Sequence, residues 1–440
     1  MKKLLSLFAF SFMAHSMGAT DLYVNNSGQA GTYTTIQAAI NAASTGDNIY
    51  VSPLNSYLET LSITKSLRIT SSVSGSRIII TQDIKISPVA NIQVELIGIE
   101  GTNVILDTQT STLGPNSRGR AIITDCSFSS INLDVDYLTL IAVKCAISGN
   151  IIGRHGKVIG NTAGGITIND EPNIGIGDTV LVKANLVSGN IAVKTDDHSV
   201  IIQNNKCYRI LISNWRSGVT ISGLISNNSV ISRETRYRQG SSYAQVVSDV
   251  FSLGYQSGCI NIGVGASNQS ITNMLITNNY IDDIGSYPLA WQYYQVGYCA
   301  IGISDNIPTN FPIVQYNIFD SNTWKNTQGV GNGSYHWYGF FWNWWPTAQK
   351  GVYNLQTNVG SSPDSQIISE GKDIGSPSPK FYDADLTRSD IGHLGGDNSF
   401  EMFHGANATS GAAYIISLNL PSEIWPGQTV NMKAQAVHTN

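Results

Sequence analysis

Six residues in the middle of the chain have the types and spacing for acid, base or charge-stabilising chemistry. They are Asp196, Asp197 and His198 in "KTDDHS", Arg216 in "SNWRSG", and Arg236 and Arg238 in "SRETRYRQ". Adjacent carboxylates serve as proton donor and acceptor or as ligands of a hard cation, and arginines neutralise a uronate-like anion. The three stretches recur every nineteen residues, which sets Asp197, Arg216 and Thr235 at equivalent positions. "GRHG" (153–156) and "NDEPN" (169–173) fall on the same edge. Two readings follow. Either the turns line a catalytic or Ca²⁺-binding groove, or turns of opposite charge form solvated ion pairs of little energetic worth.

A second set could grip a sugar. "GSYHWYGFFWNWWPT" (333–347) places eight aromatic rings between Tyr335 and Trp345, four of them tryptophans. Asn343 and Pro346 interrupt the run, and no Lys/Arg cluster flanks it, so insertion into a membrane is not expected. This run is the last of three long insertions beginning at Arg233; Trp291 and Tyr294 belong to the second. Insertions at one place in successive repeats project from one face. Trp291, Tyr294, Tyr335, Trp337, Trp342 and Trp344 are therefore candidate substrate-binding rings, stacking on the C–H faces of a polysaccharide, with packing among the loops themselves as the competing use.

The elements that must position these groups form a repeat. Apolar starts recur about every twenty residues at Leu138, Val158, Val180, Val200 and Val219. Within each unit Ile, Val and Leu alternate with polar residues and are broken by "SGN", "QNN", "SNN" or "TNN". Period-two alternation predicts strands, the breaks predict tight corners, and no single unit can bury its inward face alone. The expected fold is an all-β parallel solenoid with asparagines stacked at one corner. A β-sandwich would need Asn-Gly or Asp-Gly hairpin turns, which are scarce. An open end needs a cover, and "YTTIQAAINAASTGDNIYVS" supplies an amphipathic helix, with Thr34 and Gln37 as a capping box.

The stretch "TYTTIQAAINAASTGDNIYVSPLNSYLETLSITKSLRI" resembles the opening of right-handed parallel β-helix proteins of the pectin-lyase-like superfamily. That opening typically carries Gly-x-Tyr-x-Glu; this chain has Tyr57 and Glu59, with Asn55 in place of the glycine. "KFYDADLTRSDIGHLGG" (380–396) is similar to the closing coil of exported bacterial members. The resemblance covers roughly residues 20–396 and implies a right-handed β-helix with an N-terminal capping helix, and export. It leaves activity in doubt. "TDDH" is similar to the paired aspartate of polygalacturonase-like enzymes, but their Gly-His-Gly and Arg-Ile-Lys elements are missing, as are pectin methylesterase and pectate lyase signatures.

Composition bounds the rest. "MKKLLSLFAFSFMAHSMGA" (1–19) has the layout of a secretory signal peptide, so a secreted or cell-surface location is expected. A net charge of −5 without a basic cluster argues against nucleic acid as a partner. Five cysteines in 440 residues are no disulfide scaffold, although Cys259 and Cys299 could pair. Asp383, Asp385 and Asp390 could hold Ca²⁺, but they fail the EF-hand spacing, and Arg388 is expected to pair with these acids. Residues 397–440 read as a β extension resembling an early piece of an immunoglobulin-like domain.

The expected protein is a monomeric exported β-helix that binds an extracellular polysaccharide and, in one reading, cleaves it as a lyase or hydrolase. Arg216, Arg236 or Arg238 would then be base or carboxylate clamp, and Asp196, Asp197 and His198 acid/base groups or metal ligands, with Ca²⁺ as the candidate cofactor. The alternative is a non-enzymatic, adhesin-like surface protein that binds a glycan or protein.

Overall fold

The computed structural model describes residues 19–108, 111–114, 116–170, 179–195, 199–213, 220–232, 260–264, 270–283, 301–303, 313–320, 353–358, 373, 375–376, 378–383, 386–397, 399–404, 413–419 and 433–438. Thirty strands join in one network, and every pairing within it is parallel. The chain is a parallel β-solenoid. Each coil contributes one strand to each of three stacks, as in Ser199–Gln203, Lys206–Cys207 and Arg209–Ser213. We call these the first, second and third sheets. The first runs from Asp21–Val24 and the second from Ser56–Tyr57, both ending in strand Tyr353–Asn358, and the third from Leu61–Ile63 to Ile301–Ile303.

The alternation read in the sequence is the cause of the stack. Inward residues of successive coils lie in register, as in Ile69, Leu96, Ile123 and Ala142 of the first sheet, each with no exposed area. Burying each such isoleucine or leucine contributes about 2 kcal/mol. The N-terminal end is covered by helix α1, Ile36–Ala42, whose Ile36, Ala39 and Ile40 are buried. Its cap is Thr35, one residue from the expected Thr34: the Thr35 side chain accepts the Ala38 N–H at 3.1 Å. The Glu59 carboxylate accepts the Ile36 and Gln37 N–H groups at 2.8 and 2.9 Å, placing an anion where helix amides lack partners. Gln37 accepts the Ser62 N–H at 2.8 Å, tying the helix to the first strand of the third sheet.

The corner between first and second sheets uses two residues. The first takes positive φ, as at Asn204 (55°), Asn227 (53°) and Asn278 (56°); the second points inward. Inward residues Asn161, Asn185, Asn205, Asn228, Asn279 and Asn317 form the expected ladder, each amide donating to the next side-chain oxygen at 2.9–3.0 Å. Three ladder asparagines, Asn205, Asn228 and Asn279, come from "NN" doublets, while Asn161, Asn185 and Asn317 follow Gly160, Ala184 and Tyr316; none comes from "SGN", whose Asn150 and Asn190 are exposed and lie at the second–third corner.

The described residues of the segment similar to a closing coil form no strand. From Ser376 to Asp397 it runs lengthwise across the first–second corner. Its backbone bonds to the outer asparagines: Asn278 Oδ1 accepts the Ser376 N–H, Asn227 donates to the Asp390 carbonyl at 3.0 Å, and Asn204 to that of His393 at 3.3 Å. Lys183 pairs with Asp397. Helix α2, Ser399–His404, follows, with Phe403 on Ile141, Val143, Ile159 and Ala184. Among the described residues, which leave out Asp385, Arg388 does not pair with Asp383 or Asp390. Its Nε donates to the Gly375 carbonyl at 2.5 Å, and its guanidinium lies 5.5 Å from the Tyr316 ring centroid. Strands Ala413–Asn419 and Lys433–His438 pair antiparallel.

Candidate functional site

The corner between third and first sheets gathers charge. Arg154 Nε donates to Asp134 Oδ1 at 2.7 Å, Arg154 Nη1 pairs with Asp136, and Asn169 donates to Asp134 Oδ2 at 2.9 Å. One residue further, His155 Nδ1 pairs with Asp170 Oδ1, and Thr195 Oγ1 donates to Asp170 Oδ2 at 2.9 Å. These contacts cross successive coils. They arise because strand Ala146–Ile159 passes through the corner without a turn, with His155 at φ 47°. Gly156 is needed beside it, since a Cβ there would lie 2.7 Å from Ile168 Cδ1. His155 and Asp170 are 9% and 0% exposed, so that pair is buried, whereas Arg154, at 13%, pairs with Asp134 and Asp136, which are 30% and 47% exposed and reach solvent. Removing one partner of a buried pair such as His155 and Asp170 costs far more than removing a surface one.

Beside this corner lies the outer face of the third sheet. Its middle row runs Lys85, Ile105, Asn132, Ile152, Thr167, Ala192 and Leu211. At its other border Ser130 donates to Asn103 at 2.7 Å, and Asn103 to Asp83 at 2.9 Å. Polar side chains thus line this border at Asp83, Asn103 and Ser130, about 4.8 Å apart, while the middle row mixes polar and aliphatic residues. Arg209, on the same border, is buried with its guanidinium 5.3 Å from the Tyr208 ring centroid.

All twelve candidate residues, Asp196, Asp197, His198, Arg216, Arg236, Arg238, Trp291, Tyr294, Tyr335, Trp337, Trp342 and Trp344, lie outside the described residues, as do Cys259 and Cys299. Their flanking strands still fix which corner each segment joins. Residues 196–198 and 214–219 connect third-sheet strands to first-sheet strands. Residues 233–259 connect the second-sheet strand Ser229–Ser232 to the third-sheet strand Ile260–Val264. The nineteen-residue equivalence of Asp197, Arg216 and Thr235 is therefore wrong. Arg236 and Arg238 belong to a different corner, because Val230 is in register with Cys207 of the second sheet. The insertions 284–300 and 321–352 leave from the same place, after Asp283 and Asp320. The expectation of one common origin for the three insertions holds, but that origin is the second–third corner.

His155, Asp170 and Thr195 were not singled out from sequence. "GRHG" and "NDEPN" were placed on one edge, but a repeat frame of constant length does not pair His155 with Asp170. Asp373, Asp383 and Asp390 bring carboxylate oxygens within 4.8 Å of one another. Asp383 Oδ2 accepts the Asp390 N–H at 3.0 Å, Asp383 Oδ1 the Gly396 N–H, and Asp390 Oδ1 the Asp373 N–H at 2.8 Å. These acids tie the lengthwise segment to itself.

Fold and corner together define a parallel β-solenoid with a mixed polar and aliphatic sheet face between charged turns and long insertions. No protein-family model, curated protein or solved structure matches the chain. Among the described residues, no helix is long and apolar enough to cross a membrane.

Proposed function

We propose that the protein is an exported β-helix of the pectin-lyase-like type that binds an extracellular polysaccharide on the outer face of its third sheet. The observation that carries this reading is the placement of the borders. Three insertions, two of them rich in aromatic residues, start from one border of that sheet, and the charged turns stand at the other. A glycan along the stack would meet polar side chains such as Lys85, Asn103, Asn132 and Thr167 among aliphatic ones, with rings from Trp291, Tyr294, Tyr335, Trp337, Trp342 and Trp344 as stacking partners. The leader at residues 1–19 supports an extracytoplasmic location. Asp196, Asp197, His198 and Arg216 are the groups on the charged border for acid/base work or uronate binding, with Ca²⁺ as a candidate ligand of the aspartates. Arg236 and Arg238 act from the insertion border.

A binding-only, adhesin-like protein is favoured by one observation: Arg154, His155 and Asp170 are engaged in cross-coil pairs. Mass spectrometry of acidic and neutral polysaccharides incubated with the protein, with and without Ca²⁺, separates the two. Shortened products with an added unsaturation mean a lyase, and shortened products without it a hydrolase. Intact polymers with retained affinity mean a binding protein. Unchanged affinity after Trp337→Ala and Trp342→Ala together, and after Asn132→Trp on the sheet face, would refute the glycan site itself.

A further inference from the structure

The corner between first and second sheets carries a pair of thiols that the proposed glycan site does not use. Cys126 and Cys145 hold the inward position on consecutive coils, because Thr124 is in register with Val143 just before them and Ser127 with Ala146 just after. Both are buried, and the two thiols hydrogen-bond to each other. Thiols are weak donors and weaker acceptors. Cys126 reaches the Leu96 carbonyl only at 3.6 Å and Cys145 the Ile123 carbonyl at 3.4 Å, where the amide rungs that follow bond at 2.9–3.0 Å. Cys207 has no such neighbour: it is in register with Val230 and, through the Leu186–Lys206 pairing, with Val187. Among the described residues, Cys126 and Cys145 are therefore the one pair of cysteines on adjoining coils.

We infer that Cys126 and Cys145 are joined by a disulfide when the chain folds under oxidising conditions. Strands in register lie about 4.8 Å apart, inside the range of roughly 4.4–6.8 Å over which a disulfide links two Cα atoms. The two Cβ atoms must close by about 1 Å to reach the usual disulfide separation. That movement falls in a turn, directly after the left-handed residues Asp125 (φ 52°) and Lys144 (φ 54°), and not in the paired strands. The oxidant is another disulfide, such as that of glutathione or of a thiol oxidoreductase. The thiolate of one cysteine attacks it, giving a mixed disulfide and releasing one thiol; the thiolate of the other then attacks its neighbour's sulfur, closing the Cys126–Cys145 bond and releasing the second. The two electrons and two protons lost by the pair end on the two released thiols. Burial sets the timing: inside the finished coil neither sulfur can meet an exchange partner, so the bond must form in the folding chain, and the coil then shields it from reductant. Its formation in the cell rests on the export reading above, since oxidising compartments supply such an oxidant.

Refolding of the reduced, urea-unfolded whole protein in mixtures of oxidised and reduced glutathione tests this. The fraction that regains native circular dichroism is denatured without reductant, alkylated and mapped by mass spectrometry. The expected result is one linked pair of peptides holding Cys126 and Cys145, lighter by two hydrogens than their reduced sum, with Cys207 alkylated. Oxidised glutathione added only after the reduced protein has folded should leave the pair unlinked. Full alkylation of both cysteines at every glutathione ratio overturns the inference, and so does a Cys126 captured by glutathione or by a cysteine other than Cys145. A bond that forms on refolding but is missing from protein isolated from cells with its thiols blocked at lysis would support the pair and overturn the export reading instead.

Discussion

At Asn228 one side-chain amide serves three coils. Its Nδ2 donates to the Ile202 carbonyl at 2.9 Å and the Ser226 carbonyl at 3.0 Å, and its Oδ1 accepts the Asn205 N–H at 3.0 Å. Asn228→Ala would strand these buried groups and should cost about 3 kcal/mol, read as a shift in the urea midpoint. Asn150→Ala, at an exposed site, should change stability by less than about 0.5 kcal/mol. Upstream of Asn161 the same position is held by Cys126 and Cys145. The Cys126 thiol accepts the Ile99 N–H at 3.4 Å and donates to the Thr124 carbonyl at 3.2 Å, while Cys145 donates to the Val143 carbonyl at 3.4 Å. A thiol here does the work of an amide. Burial first, and the hydrogen bond with Cys145 second, push the Cys126 thiol well above its usual range, and burial does the same to Cys207. Cys126 and Cys207 should resist alkylation in the native protein and react once it is unfolded, which mass mapping of labelled peptides would check. The ladder was legible in part because Asn205, Asn228 and Asn279 stand in "NN" doublets; Asn161, Asn185 and Asn317 do not. Its thiol steps were not, because a lone buried cysteine and a ladder cysteine look alike in sequence.

The lengthwise segment and α2 are held by a few close contacts. Gly160 sits at φ 66°, and a Cβ there would overlap the Phe403 ring. Gly160→Ala should release α2 at a cost of about 1–3 kcal/mol, seen as faster deuterium uptake in residues 399–404 while the ladder strands stay protected. The same helix should respond to pH. Burial lowers the pKa of His404 below 6.5, and the bond to the Ala184 carbonyl opposes that shift only in part. On acidification the released state therefore takes up the proton first. Docking is complete above the unfolded pKa and weakens as pH falls through the lowered folded value. Deuterium uptake in this helix should rise as the pH falls below 6.5, and His404→Gln should remove the pH dependence. "KFYDADLTRSDIGHLGG" was read as a coil from its similarity to the closing coil of exported bacterial β-helix proteins. Without period-two alternation, no strand could form from it.

A solenoid is normally stabilised coil against coil, so its unfolding tends to divide. Here one segment ties Lys183, Asn204, Asn227 and Asn278 together and passes over Tyr316. Asn227→Ala/Asn278→Ala should loosen that tie and separate the urea transitions seen by tryptophan fluorescence and by circular dichroism, which should coincide in the parent. The overall architecture was legible from alternation and repeat length. The allocation of charged segments to corners was not, because coil length varies: Val180 aligns with Val200, twenty residues on, but Ser199 aligns with Ser222. A frame that slips by a few residues transfers a segment to another corner. The tie also bears on how such a chain can change in evolution. Between Leu67 and Val143, a whole coil gained or lost would leave all of its anchor points in place. Between Lys183 and Tyr316, the same event would move every anchor beyond it by about 4.8 Å against a segment of fixed length. The N-terminal half is therefore free to vary in length, and the C-terminal half is confined to growth by insertions at its corners, which is where its long loops are found.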